Sequence, residues 1–311
     1  MANLKDIKNR IQSVQSTSKI TRAMKMVAGA KVRHAETAVK ASRPYSSEMM
    51  KMFRNLLNSV DVYSSENLKI KAAIDDYPKL LEHRQVQSVG LLVIGSNKGL
   101  AGAYNVNVSK YALKKALEYK EQGIDVKFFI VGQEELVLLK RKVNDLGFSI
   151  EKKYFSAIDN PTSTDAGYIA EDLAEYFVNG MIDKIEIITT RFRNMVSYSV
   201  EEWHVLPVDG VCDMHEKNND GIIEPLMDFV PDKHHILQKI VPMYITNTIY
   251  QSLAEAHASE LAARMTAMSA ATNNAEKIIA ELSVQYNKIR QMSITNEIIE
   301  VVSGANSLTG S

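Results

Sequence analysis

The chain has 311 residues with 37 basic and 37 acidic side chains, so its formal net charge is zero, and no overall polyelectrolyte character directs it to nucleic acid or an anionic surface. With 45% hydrophobic and 24% charged residues it has the composition of a folded globular protein. Its longest apolar runs, such as Val89 to Ile94, fall far short of the roughly 20 residues that span a bilayer, so membrane association would need a partner.

The N-terminus alternates charged and apolar residues instead of showing a continuous hydrophobic stretch, so it reads as structure and not as a signal peptide. From Leu4, steps of three and four through Ile7, Ile11, Val14, Ser18, Thr21, Lys25, Ala28, Val32, Ala35 and Val39 toward Leu56 and Leu57 predict a long helix with a coiled-coil seam. Pro44 predicts a kink or short break within it. Residues 1–57 carry twelve Lys or Arg against three Asp or Glu. Such a segment invites a nucleic-acid reading, but its charges are spread around a helix with an apolar seam and almost no aromatics, which argues against one.

The middle of the chain changes period. Tyr77 and Pro78 close a polar linker, and Val86 to Ile94 reads as a buried strand running into Gly95. Alternation then follows: helix from about 106 to 121, strand 126–131, helix 134–146, strand 150–155, helix 165–179 and strand 184–190. Such alternation predicts a mainly parallel sheet covered by helices. Phe192 to Leu206 reads as one or two further strands, and "KNNDG" within 212–227 as a hairpin tip.

Candidate chemistry is sparse. Gly95-Ser96-Asn97-Lys98-Gly99-Leu100-Ala101-Gly102 is a glycine-bearing loop straight after a strand, a place where backbone N–H groups can cradle phosphate. Its spacing is neither a Walker A sequence nor a dinucleotide fingerprint, so it reads as a structural turn. His234 and His235 are adjacent, which on a helix points them about 100° apart and unable to chelate one metal together. Asp213, His215 and Glu216 fall in an expected loop without a second cluster. Cys212 is the sole cysteine; it cannot form an internal disulfide, fits a reducing compartment and lacks a visible activating partner.

From Pro231 the chain returns to helix, with Pro242 as the expected joint before the last stretch. Ile245 to Val302 contains neither proline nor glycine and as a helix would reach roughly 85 Å. Steps of three and four run from Ile249 through Leu253, Ala256, Glu260, Ala263, Ala267, Ala270, Asn274, Ile278, Leu282, Gln285, Ile289, Met292 and Asn296 to Ile299. Alanine in the middle gives a strong helix with only a thin apolar stripe. Long helices at both termini, one basic and one slightly acidic, predict an antiparallel pair, with the region near Ser18 and Thr21 facing 267–271.

The runs "IKNRIQSVQSTSKITRAMKMVAGAKVRHAE" and "ASELAARMTAMSAATNNAEKIIAELSVQYNKIRQMSITNEIIEVVSGA", with "LLVIGSNKGLAGAYN" between them, resemble the gamma subunit of the F-type ATP synthase, its rotor shaft. Asn97 and Ala101 stand where that family often has Asp and Cys, and the chain is longer than typical bacterial members around Val208 to Ile223. The resemblance implies a long antiparallel coiled coil of terminal helices plus a central, mainly parallel α/β (Rossmann-like) domain, divided as 1–60, 78–230 and 231–311. It implies a non-catalytic chain with no cofactor or metal of its own. As a central stalk it would couple ion-driven rotation of a membrane c-ring to conformational cycling of a hexamer of alpha and beta subunits, and it would also hold the epsilon subunit. It would have no nucleic-acid partner and would be peripheral on the cytoplasmic side of the bacterial plasma (inner) membrane. By the same resemblance Lys19, Met24, Lys25, Arg290, Gln291, Thr295, Glu297 and Glu300 contact the hexamer. The paired cysteines of the chloroplast form are absent, so thiol regulation of that kind is not expected. The competing reading from the residues is a nucleotide-binding α/β enzyme with coiled-coil extensions.

Overall fold

The computed structural model describes residues 4–59, 77–208 and 233–309. Two compact units form, one of residues 31–263 and one of residues 1–30 with 264–311. Helices α1 (Leu4–Ser59) and α6 (Lys233–Thr309) contribute to both.

In the larger unit the chain passes through a short α2 (Tyr77–Leu80) into β1 (Ser88–Ile94), α3 (Tyr104–Glu121), β2 (Asp125–Val131), α4 (Gln133–Asp145), β3 (Ser149–Tyr154), α5 (Ser163–Val178), β4 (Lys184–Phe192) and β5 (Tyr198–Leu206). The sheet order is β3-β2-β1-β4-β5. The first four strands are parallel, and β5 closes one edge antiparallel to β4. Val89 to Ile94 is buried throughout, Gly90 included, as a central parallel strand must be. Alternate residues serve opposite faces. Val89, Leu91 and Val93 pack with Tyr104, Val108 and Ala112 of α3 and Leu139 of α4. Leu92 and Ile94 pack with Ile169, Leu173 and Phe177 of α5. That second face is completed by Met49 and Phe53 of α1 and by Val241, Tyr244, Ile249 and Leu253 of α6. The Phe53 and Tyr244 rings stack with centroids 5.2 Å apart. Thr162 caps α5, its hydroxyl accepting from the Asp165 amide at 3.2 Å. The stretch from Phe192 to Leu206 resolves into the last residue of β4, a turn and a single further strand, β5.

In the smaller unit α1 and α6 run antiparallel. Gly29 meets Met265, Thr21 meets Thr272 and Ile7 shares a groove with Leu282 and Ile289. The α1 seam falls where the spacing places it, at Ile7, Ser18 and Ala28, with Leu4, Ile11, Val14 and Thr21 half-buried; only Lys25 is exposed, Met24 taking its place.

Three expectations are corrected. Beyond Ala263 the α6 seam is Met268, Thr272, Ala275, Ile279, Leu282, Tyr286 and Ile289, whereas Ala270, Asn274, Ile278, Gln285 and Met292 are exposed. Neighbouring stripes are almost equally alanine-rich there, and the stripe carrying Met268 and Tyr286 removes more apolar area from water than the one carrying Ala267 and Gln285. Pro44 does not interrupt α1, nor Pro242 α6. Both prolines face solvent while buried neighbours on either side, Val39 and Met49, Val241 and Tyr244, hold the helix in place, so packing offsets the lost backbone hydrogen bond. The expected hairpin of 212–227 lies outside the described residues, as do Cys212, Asp213, His215 and Glu216.

Candidate functional site

A doubly wound sheet binds ligands at the carboxyl ends of its strands, where the order reverses. Here that point lies between β1 and β4, and the glycine-bearing loop leaves β1 beside it. The loop is turned in on itself. Asn105 Oδ1 accepts from the Ser96 amide at 3.0 Å, its Nδ2 donates to Ser96 Oγ at 2.8 Å, and Ser96 Oγ donates to the Lys98 carbonyl at 2.9 Å. Asn97 donates to the Phe155 carbonyl and accepts from the Gln133 amide at 3.0 Å. Gly132, at φ 102°, lies so close to Ser96 that a Cβ would sit 2.7 Å from the Ser96 carbonyl oxygen, so only glycine fits.

The crevice itself is occupied by α6. Tyr104 donates to the Ala256 carbonyl at 3.1 Å and meets Thr190 Oγ1 at 3.2 Å; burial holds its phenol well above the ordinary range. Thr189 Oγ1 donates to the Ser252 carbonyl at 3.0 Å, and the Phe192 amide donates to Glu255 Oε2 at 2.8 Å. Lys98 is therefore beside a packed joint and not above an open phosphate cradle. Among the described residues no group of three His, Cys, Asp or Glu is placed to hold a metal, and no helix is long and apolar enough to cross a membrane. His234 and His235 open α6, with side chains outside the described set.

Among the described residues three buried acids, Glu135, Glu186 and Glu255, escaped the sequence reading, and the first of them lies against the loop. Glu135 is fully buried in the first turn of α4, its Oε1 accepting from Ser109 Oγ at 2.5 Å. Its Oε2 has no hydrogen-bond partner among the described residues and lies against Gly95. Burial pushes its pKa up to about 8, against the pull of the Ser109 hydrogen bond. An acidic residue in a first helical turn reads as a macrodipole contact, so nothing in the sequence signals burial.

The eight expected contact residues all lie in the smaller unit, in two patches. Lys19 and Lys25 are exposed and Met24 is half-buried, at the level of the Thr21–Thr272 hydrogen bond of 2.8 Å. Arg290, Gln291, Thr295, Glu297 and Glu300 are all exposed. Eighteen residues separate Thr272 from Arg290 on α6, about 27 Å at the helical rise, so the patches sit at different heights. Within the second patch Arg290 and Glu297, seven apart, share one stripe, while Gln291 and Thr295, four apart, share another; Thr295 Oγ1 donates to the Gln291 carbonyl at 2.8 Å. Beside them Ile294, Ile298, Ile299, Val301 and Val302 expose a large apolar surface, a feature the seam reading missed because it assigned Ile299 to a helix partner.

A family model described as ATP synthase matches residues 3–308. The chain is 37% identical to the ATP synthase gamma chain of Synechococcus elongatus, over 100% of both chains. The chain belongs to the ATP synthase gamma-chain family. Against the gamma chain of Trichormus variabilis it is 38% identical, over 99% of this chain and 100% of the relative. Among solved structures, a chain of the Euglena gracilis mitochondrial ATP synthase matches with a TM-score of 0.64 at 17% identity, covering 98% of this chain and 94% of that one. A chain of the Tetrahymena thermophila central stalk and c-ring assembly matches with a TM-score of 0.56 at 22% identity, covering 81% of this chain and 99% of that one. These structural likenesses show a shared fold that extends over the terminal helices and the sheet together.

Proposed function

We propose that this chain is the central rotor stalk of an F-type ATP synthase, coupling ion-driven rotation of a c-ring to conformational cycling of an alpha/beta hexamer. The observation that carries this reading is identity of 37% to a gamma chain over the whole length of both proteins. The chain itself catalyses no bond-breaking step. Three catalytic sites of identical sequence differ only if something asymmetric stands among them, and a helix pair bearing different side chains at every azimuth is such an object. Its contacts must differ between states, because a contact equal in all of them shifts no equilibrium.

Lys19, Met24 and Lys25 form one contact level with the hexamer in this reading and Arg290, Gln291, Thr295, Glu297 and Glu300 a second. The exposed apolar residues from Ile294 to Val302 need cover from a partner, which a surrounding hexamer provides. The terminal segments 1–60 and 231–311 act as the shaft. The α/β part, 78–230, holds the epsilon subunit and the c-ring, so contact with the cytoplasmic side of the bacterial plasma membrane is made through partners. Affinity purification of the tagged chain tests the proposal: alpha and beta subunits must copurify as an ATP-hydrolysing hexamer, and recovery of the chain without them refutes it.

A further inference from the structure

Arg43 lies immediately before Pro44 on α1 and reaches across the larger unit to α6. Its Nε and Nη2 donate to the two carboxylate oxygens of Glu255 at 2.8 and 2.9 Å, and Nη2 also donates to the Phe192 carbonyl at 2.7 Å. The Phe192 amide donates to the same Glu255 carboxylate at 2.8 Å, and Gln251 Nε2 adds a donor at 3.1 Å. The Glu255 side chain is only 1% exposed, yet its charge is matched by a paired guanidinium and by backbone and amide donors. Three elements meet here: α1, α6 and the end of β4. β1 pairs with β4 no further than Ile188, so the amide and carbonyl of Phe192 lie beyond its reach and are taken by the charged pair of the two helices.

Half of the buried apolar residues around the pair are alanines, Ala35, Ala254, Ala258 and Ala262, set beside Val32, Val39, Phe192 and Leu261. Such contacts resist separation, but they are non-directional and oppose the turning of a helix about its own axis only weakly. A two-pronged guanidinium–carboxylate bond is directional and fixes azimuth as well as distance. We propose that the Arg43–Glu255 pair, anchored on the Phe192 backbone, is the torsional lock through which twist in the terminal helices passes to the sheet. The inference rests on the rotor function proposed above and assigns Arg43 and Glu255 as positioning residues within it.

The test uses the assembled complex, immobilised by its hexamer, with a bead attached to the α/β unit. If the parental bead does not rotate on ATP, the rotor reading itself fails. If it rotates, the lock is read from the angular variance of the bead when stalled without ATP. Arg43→Met and Glu255→Gln should each raise that variance roughly twofold or more, since the first strands the buried Glu255 carboxylate and the second removes the charge that the guanidinium fork grips. Arg43→Lys, which keeps the charge but not the fork, should fall between. Arg193→Ala, which breaks the exposed pair of Arg193 with Glu201, should leave the variance at the parental value. Parental variance in both Arg43→Met and Glu255→Gln overturns the proposal. Failure of both to assemble overturns it equally, since the pair would then be a requirement for folding and not a transmission element.

Discussion

Replacing Glu135 by Gln should change how stability depends on pH. In the folded chain its pKa is raised from an ordinary 4.5 to about 8, burial being the main cause. Between those values the native state keeps a proton that the unfolded state has released, so the stabilisation is fully present below pH about 4.5 and is lost as pH rises through about 8. One pKa unit corresponds to about 1.4 kcal/mol, so the loss is on the order of a few kcal/mol. Gln cannot titrate, and its amide places an extra donor where Oε2 has no hydrogen-bond partner among the described residues, costing about 1 to 3 kcal/mol at every pH. The parent should therefore be the more stable chain at pH 5, and the gap should close or reverse by pH 9. Urea unfolding followed by circular dichroism from pH 5 to 9 measures the difference between the two chains, in which the other titrating groups cancel. Parallel stability curves would refute the assignment of Glu135 as a buried carboxyl that is neutral below pH 8.

Replacing Arg290 and Gln291 together by Ala should leave the complex assembled while lowering ATP hydrolysis and synthesis several-fold. State-dependent charge-assisted hydrogen bonds are worth about 1.5 to 3 kcal/mol each; Lys288→Ala is the control, and steady-state turnover at the parental rate would move the contact elsewhere. Ala275→Trp, at a seam position only 6% exposed, should lower the thermal midpoint through overpacking worth about 1 to 3 kcal/mol, whereas Ala270→Trp on the exposed side should not. Calorimetry of the isolated chain should show no micromolar ATP binding; binding that is lost on Lys98→Ala would overturn the reading of the 95–102 loop as a turn.

Much of this architecture was legible because its signals are long. Eleven seam positions from Leu4 to Val39 on α1 and seven alternating strand and helix pieces from β1 to β4 leave few other arrangements, and Val89 to Ile94 could hardly be anything but a central strand. The α6 register beyond Ala263 was not legible, since alanine makes adjacent stripes nearly equivalent and a few large side chains decide between them. The prolines misled for a related reason: local chemistry predicts a break, and tertiary contacts made by Met49 and Tyr244 override it. Of the contact surface, the spread of Lys19 through Lys25 and Arg290 through Glu300 along two helices was visible, but their separation into two heights depends on which residues pair across the seam. Arg43 and Glu255 gave no signal, being 212 residues apart within helices that each have charged residues to spare.

The seating of α6 in the crevice at the carboxyl ends of β1 and β4 has a consequence for synthesis. The ribosome delivers α1 first and all five strands next, yet the residues that cover the second sheet face, Val241 to Leu253, emerge only afterwards. Until then Leu92, Ile94 and Ile187 lie under an incomplete roof, and the hydroxyls of Tyr104 and Thr189 lack the carbonyls of Ala256 and Ser252. Contacts this distant in sequence close slowly, and uncovered strands aggregate while they wait. The nascent chain is therefore a natural client for chaperones until its last quarter is made, and truncation after β5 should yield insoluble protein instead of a free-standing domain.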